Sequence, residues 1–248
     1  MRRPVLFLDD SGVLNDHAPR PKQWERLVGE FFAPRLGGTR AAWAEANRLV
    51  IDWLSQPDVW NGLIAGSPDY QAFDRAYNLI WLGQMGEQVG VVVPSEEECL
   101  RLGLEAEAYV SRRIRSALPG AVETVRELRA LGYTLHTASG HSSVMIDGYL
   151  EAMVVRDCFD RLYGPDLVNA HKAGPTFYER AFEDAAVLPG DALVVDDSVG
   201  AVIWAMEAGA RAILVESGSE VKARKDQRIE RIGSITELPG LVERLWRD

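Results

Sequence analysis

The sequence is poor in cysteine and in positive charge. Its 248 residues include two cysteines, Cys99 and Cys158, and neither belongs to a Cys-x-x-Cys pair. The common zinc and dithiol redox motifs are therefore excluded, and two free thiols are expected. Lysine and arginine number 27 against 37 aspartates and glutamates, which gives a formal net charge of −10. Because such a surface repels phosphate backbones and anionic lipid, neither nucleic acid nor a membrane is an expected partner.

The sequence also lacks a long apolar run. Its first apolar segment, Val5–Leu8, ends at Asp9 and is too short for the apolar region of a signal peptide. No segment approaches the roughly 20 apolar residues that cross a bilayer. A cytoplasmic protein is therefore expected. Hydrophobic residues make up 47% of the chain, which is enough for one large core, or one core with a smaller partner domain.

Four short apolar runs predict the strands of a parallel sheet. Each is continuous rather than alternating, which is typical of strands covered by helices on both faces. The runs are Val5–Leu8, Tyr133–His136, Ala192–Val195 and Ala212–Val215. Amphipathic segments with helical spacing lie between them. This alternation of strand and helix predicts a doubly wound α/β domain.

A long interval between the first two predicted strands interrupts this alternation. It has helical spacing, punctuated by proline and glycine, and no convincing strand. The helices predicted there are Lys22–Leu36, Thr39–Ser55, Pro68–Gly86 and Pro94–Ser116. The sequence therefore predicts an α/β core formed by residues 1–16 and 117–248, with a helical domain inserted at residues 17–116.

Polar side chains follow the predicted strands, at the edge where open α/β sheets bind ligands. The segments are Asp9-Asp10-Ser11-Gly12, Thr137-Ala138-Ser139-Gly140, Asp196-Asp197-Ser198 and, before a predicted helix, His171-Lys172. Any one of them has an ordinary explanation as a turn or a helix cap. Together they bring carboxylates, hydroxyls and an amine to one edge. That set fits a nucleophile beside a site for a hard metal ion.

These segments resemble, in order, the four motifs of the haloacid dehalogenase superfamily. The stretch from Leu6 to Leu14 resembles the first motif, with Asp9 at the nucleophile position. Thr137 matches the hydroxyl of the second motif and Lys172 the lysine of the third. The acidic pair of the fourth motif matches Asp196-Asp197. The helical insertion corresponds to the family's helical cap, so the resemblance implies a Rossmann-like core with a cap inserted between the first two motifs.

The resemblance also implies a role for each matched residue. Asp9 would form a covalent ester with the substrate, Thr137 would hydrogen-bond a transferring phosphoryl group, and Lys172 would neutralise charge around Asp9. The expected cofactor is Mg²⁺, which prefers oxygen ligands. Its expected ligands are Asp9, the carbonyl of Ser11, Asp196 and Asp197. Further candidates for contact with a small anionic substrate are Ser139, His17 and Arg20.

Ser11 departs from the pattern of the family's phosphatases. These carry an aspartate two residues after the nucleophile, which protonates the leaving group and then activates water. A serine does not act as such an acid at neutral pH. Branches of the family that cleave carbon–halogen or carbon–phosphorus bonds also lack this aspartate. The acidic pair at Asp196, however, favours a metal and therefore phosphate chemistry.

The expected function is a magnesium-dependent phosphatase or phosphotransferase that acts on a small phosphorylated metabolite. Two alternatives stay open. One is a non-phosphate hydrolase, such as a 2-haloacid dehalogenase, which works without metal. The other is a catalytically weak protein that keeps the fold and binds a ligand. The sequence indicates neither the substrate nor the oligomeric state.

Overall fold

The computed structural model describes residues 3–216 and 229–246. The chain divides into two compact units. The first runs to His17, resumes over Ser116–Ile146 and continues from Met153 onward; the second comprises Ala18–Arg115 and Asp147–Ala152. The main chain boundaries between the units therefore fall at residues 17/18 and 115/116, where the sequence-based prediction has 16/17 and 116/117. The short segment Asp147–Ala152 belongs with the helical unit, which the sequence pattern did not indicate.

The first unit contains a six-stranded sheet whose paired strands are all parallel, in the order β3-β2-β1-β4-β5-β6. Its strands are β1 (Val5–Leu8), β2 (Thr134–Ala138), β3 (Arg161–Tyr163), β4 (Ala192–Asp196), β5 (Arg211–Val215) and β6 (Glu230–Ile232). The doubly wound α/β fold predicted from the sequence is therefore confirmed. The short strands β3 and β6 were not predicted.

Register brings the carboxyl ends of the central strands together. Leu8, the last residue of β1, pairs with Thr137 of β2 on one side and with Val195 of β4 on the other. The residues that follow Leu8 and Val195 are Asp9 and Asp196. Parallel pairing therefore carries both aspartates to the same edge of the sheet.

The second unit is a bundle of five helices: α1 (Arg20–Leu36), α2 (Arg40–Leu54), α3 (Pro57–Ala65), α4 (Tyr70–Val89) and α5 (Glu96–Ser111). Side-chain oxygens of Thr39, Asp69 and Ser95 accept hydrogen bonds from the first turns of α2, α4 and α5, which satisfies backbone groups that a helix start leaves open. Trp43 and Trp81 lie in the bundle core. Helix α3 was not predicted, and none of its residues is fully buried.

Five further helices belong to the α/β unit: α6 (Ala121–Ala130), α8 (Pro165–Val168), α9 (Pro175–Asp184), α10 (Val199–Glu207) and α11 (Leu238–Leu245). Helix α7 (Ser143–Ala152) begins in this unit and ends in the helical unit. Helix α9 begins at a proline, where the missing N–H is no loss, and it buries Phe177 and Phe182 against the sheet. The rings of Phe182 and Phe7 pack edge to face, with their centroids 5.0 Å apart. In the part of the chain that is described, no helix is long and apolar enough to cross a bilayer.

Candidate active site

Three carboxylates meet at the edge where β1 and β4 end. Asp9, Asp196 and Asp197 each offer an oxygen within 4.8 Å of the other two. Asp9 is 5% exposed and Asp196 is 1% exposed. The backbone fixes both, since Asp9 N donates to the Val195 carbonyl at 2.9 Å and Asp196 Oδ1 accepts from Ser198 N at 2.8 Å. The cluster is thus a consequence of strand register rather than of mobile side chains.

Lys172 is the cation that faces this cluster. Its Nζ donates to Asp9 Oδ1 at 2.7 Å and to Asp196 Oδ2 at 2.6 Å, and 9% of its side chain is exposed. Burial acts to lower the pKa of Lys172, but the two carboxylates outweigh it and raise the pKa, so the lysine stays charged. One positive charge therefore opposes three carboxyl groups. The sequence-based expectation that Lys172 lies beside Asp9 agrees with this geometry.

The same surroundings raise the pKa values of two of the three carboxyl groups. Burial raises the pKa of the Asp9 carboxyl; Lys172 acts to lower it and Asp196 to raise it. Burial likewise raises the pKa of Asp197, and the neighbouring Asp196 raises it further. Burial is the largest cause of both shifts and repulsion from Asp196 adds to each; a divalent cation bound to these carboxyl groups would favour their charged forms.

The residues present fit a hard divalent cation. Carboxylate oxygens are the ligands that Mg²⁺ takes in proteins, and the candidate group found among the described residues consists of carboxylates alone. Gly12 contributes to the fit because it has φ of +77° and because a Cβ on it would overlap the Asp197 carboxylate. Only glycine leaves that carboxylate in place without strain. The role of the Ser11 carbonyl as a further ligand stays a prediction.

Asp10 organises the loop that follows the nucleophile position. It is fully buried, its carboxylate accepts from Asn15 Nδ2 at 2.8 Å, and its carbonyl accepts from the backbone N–H groups of Leu14 and Asn15. Sequence reasoning assigned Asp10 no role. The sequence feature that could have indicated a role for Asp10 is its position directly after Asp9 in the first motif.

Ser11 lies beside His141, which the sequence places after β2 as a candidate to line the cleft. Ser11 Oγ lies 3.2 Å from His141 Nε2 and 3.4 Å from Asp10 Oδ2. His141 follows β2 by three positions, in the segment that the sheet-edge rule marks as ligand-binding. That placement was the signal in the sequence, but the sequence did not show that His141 would meet Ser11.

The two hydroxyls at the end of β2 have different surroundings. Thr137 is fully buried, and its Oγ1 donates to the carbonyl of Tyr163 at 3.4 Å. Ser139 lies beyond the strand end, where its Oγ accepts from His141 N at 3.2 Å. Ser139 therefore shares the loop that carries His141, whereas the Thr137 hydroxyl bonds to the neighbouring strand.

The last two candidates for substrate contact, His17 and Arg20, belong to different units of the chain. His17 Nε2 is 3.9 Å from Asp197 Oδ2, and the His17 side chain is 64% exposed. Arg20 belongs to the helical unit, where its guanidinium stacks 4.2 Å from the centre of the Tyr149 ring and the residue is 7% exposed. This stacking gives Arg20 a structural role in its own unit. Contact of either residue with substrate stays a prediction.

Solved structures and curated proteins resemble this chain. The Bacillus subtilis (strain 168) protein YhcW, provisionally named a phosphatase, is 25% identical over 191 residues, which cover 75% of this chain and 81% of that protein. The L-2-haloacid dehalogenase of Xanthobacter autotrophicus is 17% identical with a TM-score of 0.58, covering 97% of this chain and 98% of that one. Magnesium-bound YfnB of Bacillus subtilis, provisionally named a HAD-hydrolase, is 14% identical with a TM-score of 0.63, covering 98% and 99%.

The family comparison agrees with the fold. A family model described as haloacid dehalogenase-like hydrolase matches residues 81–215, which is more than half of the chain. The resemblance inferred from the motifs is therefore confirmed, and this chain belongs to the haloacid dehalogenase-like hydrolase family.

Proposed function

We propose that this protein is a magnesium-dependent phosphohydrolase that acts on a small phosphorylated, anionic metabolite, with Asp9 as nucleophile. The observation that carries the proposal is the cluster of Asp9, Asp196 and Asp197, in which the first two carboxylates accept hydrogen bonds from Lys172. Three carboxyl groups and one lysine leave an excess of negative charge, and an anionic substrate adds more. A bound Mg²⁺ would screen the nucleophile from the substrate and stabilise charge on the transferring group.

The side chains of this site suit attack by a carboxylate. Lys172 donates to Asp9 Oδ1, so Oδ2 is the oxygen assigned to attack phosphorus. A bond forms between Oδ2 and phosphorus while the bond from phosphorus to the leaving oxygen breaks. Water then attacks the phosphorus of this aspartyl ester, releasing phosphate and restoring the Asp9 carboxylate. The sequence predicts Thr137 as the hydroxyl that hydrogen-bonds the phosphoryl group, but the Thr137 hydroxyl donates to the Tyr163 carbonyl. Ser139, one residue beyond β2, is therefore the hydroxyl proposed for this role.

The provisional phosphatase name of YhcW and the magnesium bound to YfnB agree with this proposal. A second candidate is a carbon–halogen hydrolase, because Ser11 stands where the acid of a phosphatase is expected. That alternative has no use for a third carboxylate at the nucleophile. The partner is proposed to be a small molecule, with neither nucleic acid nor membrane involved.

A panel of aryl, acyl and alkyl phosphates and 2-haloacids, each with Mg²⁺ or with chelator, tests the proposal. We expect turnover of phosphates only, abolished by chelator and restored by Mg²⁺. Chelator-insensitive release of halide from a 2-haloacid would instead establish the second candidate. Stabilisation by inorganic phosphate without any turnover would identify a ligand-binding protein.

A further inference from the structure

The loop that carries His141 is built to hold this residue in one place. His141 N donates to Ser139 Oγ at 3.2 Å. Two residues on, the Asp166 carboxylate accepts from Ser143 N at 2.8 Å and from Ser143 Oγ. A Cβ on Gly164 would overlap the carbonyl oxygen of His141, so the loop passes directly against the end of β3. Hydrogen bonds and close packing thus fix the backbone on both sides of the imidazole.

This fixed imidazole meets Ser11, which is two residues from the nucleophile position. A serine hydroxyl has one proton and two acceptor lone pairs. Among its neighbours, His141 Nε2 lies 3.2 Å from Ser11 Oγ, and Asp10 Oδ2 accepts a long hydrogen bond of 3.4 Å from this hydroxyl. An imidazole N–H that donates to Ser11 Oγ occupies one of these lone pairs and holds the serine oxygen in place. The serine proton is then left to donate, either over the long contact to Asp10 Oδ2 or to a substrate oxygen that comes nearer. The imidazole therefore affects the direction in which Ser11 can donate.

We infer that His141 is a positioning residue that holds Ser11 for the leaving group. In this arrangement His141 Nε2–H donates to Ser11 Oγ, and the Ser11 hydroxyl then donates to the leaving oxygen of the substrate. This inference rests on the proposed function and adds a substrate class to it. Ser11 supplies a hydrogen bond rather than a proton, so the favoured substrates have leaving groups that depart as stable anions. Acyl and enol phosphates are such substrates, and simple alkyl phosphates are not.

The first test separates a positioning role from a general structural one. His141→Ala removes the donor to Ser11, whereas His141→Gln retains an N–H group at about the reach of Nε2. With 4-nitrophenyl phosphate and Mg²⁺, we expect His141→Ala to lower kcat roughly tenfold with little change in KM, as for loss of one oriented hydrogen bond. His141→Gln should recover most of this loss. Equal impairment of the Gln and Ala variants, both folded, overturns the inference.

A double-mutant cycle tests whether His141 acts through Ser11. We expect Ser11→Ala to lower kcat about as much as His141→Ala, and the double variant to be no worse than either one alone. Losses that multiply would show that the two residues act independently, which overturns the inference.

The substrate class is tested with acetyl phosphate. For the wild-type protein, we expect kcat/KM on acetyl phosphate to be at least tenfold higher than on an alkyl phosphate. Equal rates on both substrates contradict that class.

A second measurement does not depend on activity. The chain has four histidines, so the side-chain nitrogen resonances of ¹⁵N-labelled protein can be assigned by substitution. Ser11→Ala should shift the Nε2 resonance of His141 and leave that of His136, which lies within the sheet, unchanged. If phosphates are not turned over but this shift occurs, the proposed function has failed and the pairing stands. If phosphates are turned over and the resonance does not move, the pairing has failed and the function stands.

Discussion

The carboxylate of Asp197 occupies the space that a Cβ on Gly12 would fill. Gly12 also has φ of +77°, a conformation that residues with a side chain rarely adopt. The close approach brings Asp197 to the loop that begins at Asp9, and so helps to complete the three-carboxylate cluster.

Gly12→Ala is therefore expected to weaken metal binding as well as stability. The strain of positive φ should lower the free energy of unfolding by about 1–2 kcal/mol. Gly90→Ala is the matched control, because Gly90 has φ of +75° and a Cβ there would meet nothing within 4 Å. Calorimetric titration with Mg²⁺ should show weaker binding for Gly12→Ala alone. Equal Mg²⁺ affinity in both variants would show that the Gly12–Asp197 contact has no part in the metal site.

Asp9→Asn tests the nucleophile. Asparagine is nearly isosteric and its carbonyl still accepts from Lys172, so the fold should persist. A neutral amide does not attack phosphorus, and kcat should fall by about 10³-fold or more. Steady-state assays together with a thermal melt check this, and Asp160→Asn, at a surface ion pair with Arg129, controls for loss of any carboxylate. A folded Asp9→Asn protein with a few per cent of the wild-type rate refutes the assignment.

Metal binding should appear as stabilisation. At a Mg²⁺ concentration one hundred times Kd, linkage adds about 2.7 kcal/mol, which corresponds to a rise in Tm of roughly 5–10 °C for a chain of this size. Asp197→Asn should reduce the rise, and Asp160→Asn should leave it unchanged. Thermal melts recorded with Mg²⁺ and with chelator measure this rise in Tm. Identical melting curves in both conditions would count against a metal at this cluster.

Ser11→Asp should broaden the range of leaving groups. An aspartate at this position can protonate an alkoxide, which Ser11 does not do. The gain should reach up to about 10²-fold on alkyl phosphates and be small on aryl and acyl phosphates. Hydrolysis rates measured for a series of leaving groups at saturating Mg²⁺ show how strongly the rate depends on the leaving group in the wild type and in Ser11→Asp. If the wild type already hydrolyses alkyl and aryl phosphates equally fast, with chemistry limiting, the serine does not restrict the reaction.

His136 should make stability depend on pH. It is 5% exposed, and its Nδ1 accepts from Arg161 N. Burial lowers the pKa of His136 from 6.5 to about 4. Between these pH values the unfolded chain binds the proton and the folded chain does not. The free energy of unfolding therefore falls as pH is lowered through this range, by up to about 1.4 kcal/mol per pH unit from this group.

Urea denaturation of wild type and His136→Asn between pH 4.5 and pH 7.5 measures this contribution. Asparagine keeps an acceptor near the position of Nδ1 and does not titrate. The variant should show a shallower dependence on pH than the wild type. Parallel curves for the two proteins would mean that His136 does not titrate differently on folding.

The sequence by itself determined the sheet and the chemical character of its edge. Continuous apolar runs are a local signal, and they predicted four strands that the structure contains. Because parallel strands end at a common edge, residues placed after those runs were expected to meet, as Asp9, Asp196 and Asp197 do. The strands β3 and β6 were missed because segments of three residues carry no readable period.

The tertiary structure alone decided which side chains touch. Thr137 and Ser139 both follow the same apolar run, yet one bonds to Tyr163 and the other to His141 N. Ser11 and His141 are 130 residues apart in sequence and 3.2 Å apart in space. Residue type and local spacing can be read from the sequence. A contact between residues far apart in the sequence depends on strand register and on loops whose conformation is fixed by hydrogen bonds to other segments. For that reason the sequence indicated that an acid was missing at Ser11, and only the fold showed which residue lies beside it.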